Sequence, residues 1–373
     1  MSFGIYVHWP YCLSKCPYCD FYKEVRKDIN QADIIDSYIE DLDFYNSFTS
    51  EREVTSIFFG GGTPSLINPA LIAKLINHIA KRWKIASDIE ISLEANPNSH
   101  YPNMFAELRQ AGINRLSLGV QTLNDVDLRF LGRTHSLSQA YYAIDEVLHN
   151  FDNHSIDLIY ARPNQKIDDW LKELKQVISL GLKHISLYQL TIEENTPFYK
   201  KNVSPLDDEQ AIEMYNLTGE FLQQHNYPKY EVSNYAQKGF ESKHNLLYWT
   251  GKEYIGVGPS AHGRLMFFEG DLKQKSGVVS RRRFYATTHR CEFEEISAEE
   301  RAEELIIMGL RLVEGIDKGE FQEISGINFD KFVNKNNLLH LKNDDYIKEN
   351  EHRILVTSKG FTVLNYIIFK LLS

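Results

Sequence analysis

Through the first two thirds of the chain, short apolar runs alternate with longer amphipathic stretches. The runs at 4–8, 56–59, 89–94, 115–120, 156–160 and 184–190 are rich in Ile, Val, Leu, Phe and Tyr, as strands buried on both faces are. Between them, helical patterns cover about 31–48, 69–83, 102–111, 136–150, 168–180 and 207–225. Asn68 before Pro69, Ser136, and Pro205 with Asp207 act as start signals, and Gly112 and Gly181 punctuate two ends. Six strand–helix units in series predict an α/β fold with a parallel sheet and right-handed crossovers. Periodicity leaves open whether that sheet curls into a partial barrel or lies open and doubly wound. In both cases ligands bind at the carboxyl ends of the strands.

The alternation stops near residue 228. Residues 228–290 are rich in Gly, Tyr, His and Arg and read as loops with short strands. The stretch 297–313 predicts an amphipathic helix, with Ser297 and Glu300 forming a capping box. The tail, ILVTSKGFTVLNYIIFKLL, reads as a strand–turn–helix unit. The expected organisation is a main domain over 1–235, a connecting segment over 236–295 and a smaller, helix-rich mixed α/β domain over 296–373.

Composition changes this picture little, with 43% hydrophobic and 25% charged residues. No apolar run approaches the roughly 20 residues that span a bilayer. The opening MSFGIYVHW lacks the basic start and apolar core of a secretory signal. A net charge of −10 argues against a dedicated nucleic-acid binder, although Arg281, Arg282 and Arg283 form a local basic patch. Of 4 cysteines, three lie close together and Cys291 is remote. A disulfide framework would spread its cysteines along a shorter secreted chain. Clustered ones imply a metal or redox site and a cytoplasmic location.

The three cysteines, Cys12, Cys16 and Cys19, stand in YCLSKCPYCDF, just after the first predicted strand. Thiolates suit zinc and iron–sulfur clusters. Structural zinc takes four ligands, and the only nearby fourth is His8, inside a predicted strand. Three cysteines without a local fourth fit a 4Fe–4S cluster with one open iron, which S-adenosylmethionine binds through its amino and carboxylate groups. After the second strand comes GGGTPS, whose glycines Gly60, Gly61 and Gly62 precede Thr63. It is not a Walker loop, because no Lys-Ser or Lys-Thr follows. Alone it would read as a tight turn; beside the cysteine loop it reads as a ligand cradle. Glu94, Gln121, Arg133 and Asp157 are polar residues in or next to apolar strand patterns. Each alone is commonly a structural ion pair; together on one rim they favour a zwitterionic, hydroxyl-bearing ligand.

At this point the order of motifs is specific. The cysteine spacing, GGGTP, Glu94-x-Asn96-Pro97, SLGVQ, LGRTH and DLIY resemble radical S-adenosylmethionine enzymes of the oxygen-independent coproporphyrinogen III oxidase group. The likeness extends nearly the whole chain, to RAEELIIMGLRLVEGID. It implies a partial (β/α)6 barrel. It also implies S-adenosylmethionine contacts at Tyr6, Gly61, Gly62, Thr63, Glu94, Gln121, Arg133 and Asp157, with Tyr18 near the cofactor. One departure is Ala161-Arg162-Pro163, where the group usually has Gly-Leu-Pro.

Three features separate the branches of that group. The oxidases resemble one another in a fourth cysteine two residues after the third, where this chain has Phe21. They carry a long extension ahead of the cluster, whereas the first cysteine here is Cys12. Finally, His244-Asn245-Leu246-Leu247-Tyr248-Trp249 matches the HNxxYW motif of the HemW-type heme chaperones. The implied role is to bind heme and pass it to heme-dependent proteins such as respiratory cytochromes, in the cytoplasm or peripherally at the inner face of a membrane. Heme iron takes an axial imidazole among other ligands. His244 is the expected ligand or close heme contact, with His262 of GVGPSAHGR and His8 as fallbacks. Coproporphyrinogen decarboxylation, or radical chemistry on an unrelated substrate, are the alternatives.

Overall fold

A computed structural model describes residues 2–26, 28–99, 101–267, 277–282 and 292–373. Arg283 and Cys291 lie outside the described residues, as do the side chains of Arg281 and Arg282.

All six predicted runs form strands: β1 (Ser2–Trp9), β2 (Glu53–Gly61), β3 (Lys84–Ala95), β4 (Arg115–Gln121), β5 (Asn153–Tyr160) and β6 (His184–Gln189). They lie side by side in chain order and pair in parallel throughout. The connecting helices follow the predicted stretches: Gln31–Thr49, Pro69–Arg82, Met104–Gln110, Leu137–Asn150, Ile167–Ser179 and Asp208–Gln224. Their starts follow the sequence chemistry. The Asn68 side chain accepts from the Ala70 amide at 2.9 Å, and Ser136 and Gln139 form a capping box.

Two features outside the predicted alternation complete the sheet. Glu253–Val257 (β8) pairs in parallel with β1 on its free side, and Asn234–Ala236 (β7) pairs antiparallel with β6. Beyond β8 an antiparallel meander continues through His262–Phe267 (β9), Gly277–Arg282 (β10) and Glu292–Ile296 (β11). The sheet order is β11-β10-β9-β8-β1-β2-β3-β4-β5-β6-β7. Among the described residues no pairing joins its two ends, and β1 to β6 make up the parallel centre of a mostly parallel sheet. Both faces of β1 are buried: Phe3, Ile5, Val7 and Trp9 are fully enclosed, and Gly4 lies against Leu247 and His244.

A second core gathers the C-terminal residues around Ile306, Leu310, Phe321, Ile354, Ile367 and Leu371. Its first helix, Ala298–Gly309, begins at the Ser297–Glu300 capping box. It ends at Gly309, earlier than its amphipathic pattern; Gly309 abuts Ile316, where a Cβ would sit 2.5 Å from Ile316 Cγ1. A small sheet of Ile316–Asp317, Arg353–Val356 and Ile347–Glu349 and the helix Leu364–Leu372 complete this unit. No described helix is long and apolar enough to cross a membrane.

Candidate functional site

The cysteine loop is clasped at its base. Tyr11–Cys12 pairs in parallel with Glu24–Val25, and the Glu24 amide donates to the Pro10 carbonyl at 2.7 Å. Between these anchors the chain turns at Cys16, where the Cys19 amide donates to the Cys16 carbonyl at 3.3 Å. All three thiols are outside any disulfide. They line one cavity of about 360 Å³ at the carboxyl ends of the strands. Among the described residues no three His, Cys, Asp or Glu side chains converge enough to hold a single metal ion. A 4Fe–4S cluster does not need such convergence, because each cysteine binds a different iron. His8, the candidate fourth zinc ligand, is turned elsewhere: its Nδ1 pairs with Tyr6 Oη at 2.9 Å and its Nε2 with the Tyr22 carbonyl at 3.2 Å.

The glycine loop is fastened directly to the strand that feeds this cysteine loop. The Gly62 amide donates to the Trp9 carbonyl at 2.6 Å and the Thr63 amide to the Tyr11 carbonyl at 2.9 Å. At Gly62 a Cβ would meet the Trp9 and Tyr11 oxygens at 2.8 Å, so only glycine permits this approach. From the opposite rim, the turn after the short helix Asp125–Phe130 brings Gly132 (φ +67) so near Pro17 that a Cβ would sit 2.5 Å from Pro17 Cδ. That turn delivers Arg133. Its guanidinium donates to Cys16 Sγ at 3.4 Å, to the Gly119 carbonyl at 3.0 Å and to Asn96 Oδ1. Asn96 in turn donates to Thr63 Oγ1 at 3.2 Å. Cysteine loop, glycine loop and both strand-end motifs are thus one hydrogen-bonded unit.

The electrostatics of the cavity favour a cation. Glu94 Oε2 accepts from the Gly61 amide at 3.3 Å. Burial and the nearby Asp157 carboxylate push its pKa up to about 8. Asp157 accepts from Ser117 Oγ at 2.9 Å, and burial raises its pKa as well. Two carboxyls that are costly to ionise suit a ligand carrying an ammonium and a sulfonium. Gln121 ends β4 with φ 72, after a register shift that re-aims the strand end.

Tyr18, Gly61, Gly62, Thr63, Glu94, Gln121, Arg133 and Asp157 all line the same cavity as the cysteines. Tyr6 does not; it faces a neighbouring cavity of about 520 Å³. The two cavities share Asp20, Phe21, Gly61 and Glu94 in their walls. Asn96 and Tyr188 also line the first cavity. Asn96 lay within the quoted Glu94-x-Asn96-Pro97 motif, but its role needed the tertiary position of Arg133. Tyr188 sits in the HISLYQ strand, where a tyrosine reads as an ordinary strand residue, and gave no signal.

The HNxxYW segment forms the helix Lys243–Trp249, capped by Ser242. Glu90 of β3 takes donations from Ser242 Oγ at 3.4 Å and from the amides of Lys243 and His244 at 3.0 and 3.2 Å. His244 is 1% exposed and lines neither cavity. Its Nδ1 pairs with Ser56 Oγ at 2.8 Å and its Nε2 with Tyr248 Oη at 2.7 Å, while its ring stacks on Phe58 at 5.2 Å. Burial lowers its pKa to about 3, so the ring is neutral. Tyr248 lines the second cavity. Trp249 points the other way, into a cleft of about 410 Å³ beside the C-terminal unit.

Residues 6–199 match the radical SAM superfamily, and residues 296–363 match the HemN C-terminal domain. A protein of Haemophilus influenzae named heme chaperone HemW is 34% identical over 371 residues, covering 98% of this chain and 96% of its own. A HemW of Buchnera aphidicola is 41% identical over 270 residues, covering 72% of each chain. Among solved structures, the coproporphyrinogen III oxidase HemN from Escherichia coli has a TM-score of 0.80 at 20% identity, covering 100% of this chain and 90% of its own. At that identity the likeness bears on the fold. The superfamily match and the near-full-length relatives together show that this chain belongs to the radical SAM superfamily and, within it, to the HemW-type heme chaperone family.

Proposed function

We propose that the protein binds heme and delivers it to heme-dependent respiratory proteins. In this reading Cys12, Cys16 and Cys19 hold a 4Fe–4S cluster. Gly61, Gly62, Thr63, Glu94, Gln121, Arg133 and Asp157 hold S-adenosylmethionine at its open iron, with Tyr18 beside the cluster loop. Tyr6 acts from the neighbouring cavity, across the wall that Glu94 shares with the first. Bound together, cluster and S-adenosylmethionine supply one-electron chemistry at the sulfonium. The chain's own residues bind and orient them: the glycine loop gives backbone access, Arg133 braces the sulfur of Cys16, and the two carboxyls meet the ligand's positive charge. Heme is the cargo. His244 is proposed as a close heme contact acting through Tyr248. Delivery takes place in the cytoplasm, at the inner face of the membrane that carries the acceptors.

The single observation that carries this reading is the cluster-type cavity sharing a wall with an aromatic cavity, in a chain whose near-full-length relatives are named heme chaperones. Anaerobic cluster reconstitution, heme titration, transfer to an apocytochrome and a coproporphyrinogen assay on one preparation test it. Expected are iron near four per chain, saturable heme binding, heme transfer and no protoporphyrinogen. Formation of protoporphyrinogen would overturn the chaperone assignment in favour of the oxidase. Absence of heme binding would favour radical chemistry on another substrate.

A further inference from the structure

We propose that Arg162 and Glu173 are positioning residues for the S-adenosylmethionine site, a buried clamp that fixes Gln121 on one rim of the first cavity and the turn of Arg133 beside it. The inference rests on the cofactor reading above and assigns two residues that line none of the three cavities.

The clamp begins behind β4. Gln121 lines the first cavity in a left-handed conformation, φ 72, which a non-glycine residue holds only where its surroundings enforce it. The two residues that follow it are buried, and one oxygen catches both. Glu173 Oε1 accepts from Thr122 Oγ1 at 2.6 Å and from the Leu123 amide at 2.6 Å. Glu173 stands on the helix Ile167–Ser179, whose Trp170, Leu174 and Val177 are packed into the main core. The strained strand end is thus tied to a rigid element.

Arg162 closes the other side. One terminal nitrogen donates to Glu173 Oε2 at 2.8 Å and pairs with Asp127 Oδ2 at 3.0 Å, and the other donates to the Ile159 carbonyl at 2.6 Å. Asp127 lies on the short helix Asp125–Phe130, and the turn after that helix delivers Arg133 to Cys16. Ile159 itself lines the first cavity. A single guanidinium therefore joins three segments of the cavity wall: the end of β4, the turn of Arg133 and the end of β5. The preceding residue is strained as well, since Ala161 is buried and left-handed at φ 54. Ala161-Arg162-Pro163 is where this chain departs from the Gly-Leu-Pro of the group it resembles. A leucine side chain has no hydrogen to donate, so the clamp comes with the departure.

A buried ion pair is weak evidence for stability, because desolvation offsets its attraction. What it does supply is one fixed arrangement, and here the arrangement is that of cofactor-facing residues. Arg162, Glu173 and Thr122 are all buried, so water does not replace a lost partner.

The test uses the full chain with its reconstituted cluster. S-adenosylmethionine is titrated by equilibrium dialysis into the wild type and the Arg162→Leu, Arg162→Lys, Glu173→Gln and Thr122→Val variants, well below their melting midpoints. The reduced cluster is followed by electron paramagnetic resonance with and without S-adenosylmethionine. Arg162→Leu is expected to weaken binding about tenfold or more and to shrink the spectral change that the wild type shows, at wild-type iron content. Arg162→Lys offers one donor centre to three acceptors and should fall in between. Glu173→Gln keeps an acceptor for Thr122 and Leu123, so it should bind nearly as tightly as wild type even though it melts lower. Wild-type affinity and spectrum in Arg162→Leu would overturn the proposal, as would affinities that simply track melting temperature across the variants. Should Arg162→Leu not fold, Thr122→Val decides. It removes one hydroxyl at nearly constant volume and is expected to weaken binding about threefold or more; wild-type affinity there would overturn the clamp. If the wild type itself binds no S-adenosylmethionine, the cofactor reading fails, and this assignment with it.

Discussion

Glu90 accepts a hydrogen bond from the backbone amide of His244 at 3.2 Å, across 154 positions of sequence. With the Lys243 amide and the Ser242 hydroxyl, it anchors the HNxxYW helix to β3, the strand that carries Glu94 four residues further on. The motif helix and the carboxyl beside the glycine loop therefore share one rigid element.

Glu90→Ala leaves those helix donors without their acceptor inside the fold. Hydrogen bonds to a charged group contribute roughly 1.5–3 kcal/mol. The expected loss is about 2–3 kcal/mol of unfolding free energy by denaturant titration, with weakened heme binding and an iron content equal to wild type. Glu90→Gln keeps an acceptor and should recover part of the stability. An unchanged denaturation midpoint in Glu90→Ala would show that the anchor is dispensable.

Arg133 spans Cys16, Asn96 and Gly119 with a single planar fork. A lysine cannot reproduce that geometry. Arg133→Lys is expected to cost about 1–2 kcal/mol and to lower the iron retained per chain after reconstitution. Arg133→Met should be worse on both counts. Thermal melts and iron analysis of the two variants, read side by side, check the order.

Glu94 gives a pH-dependent prediction with an opposite sign for stability and for binding. Its pKa in the folded, ligand-free protein is about 8, well above its unfolded value. Between the two values the folded state holds a proton that the unfolded state releases, so this group's contribution falls as pH rises through that window and is fully lost above about 8. Glu94→Gln keeps an acceptor for the Gly61 amide and removes the penalty. The variant should therefore melt higher than wild type at pH 9 and show little difference at pH 4. It should nevertheless bind S-adenosylmethionine at least tenfold more weakly by equilibrium dialysis, equivalent to about 1.4 kcal/mol or more. A variant that melts no higher at pH 9 would show that Glu94 is not held against its charge.

Much of the main fold was legible because its signals are local. Strands buried on both faces and helices with one apolar stripe write themselves into short windows, and Ser136 and Ser297 announce their helices through bonds that span three residues. The cluster loop and GGGTP were legible for the same reason: each is a contiguous segment whose function depends on its own spacing. The strand Glu253–Val257 was not. Its short apolar pattern resembles a loop strand, and only the free edge of β1, some 250 residues earlier in the chain, makes it a parallel member of the main sheet.

The sequence by itself determined that three cysteines, a glycine loop and a set of strand-end polar residues belong to one chemistry, because these parts are read from spacing and order. Tertiary structure alone decided how they meet. Gly132 packs on Pro17 and Arg133 reaches Cys16 because two loops from opposite rims close on each other. Likewise, His244 turned out to be enclosed by Ser56, Phe58 and Tyr248, whereas His262 lines a cavity. Which of two histidines is accessible depends on what packs against each from distant strands, and no local pattern encodes that.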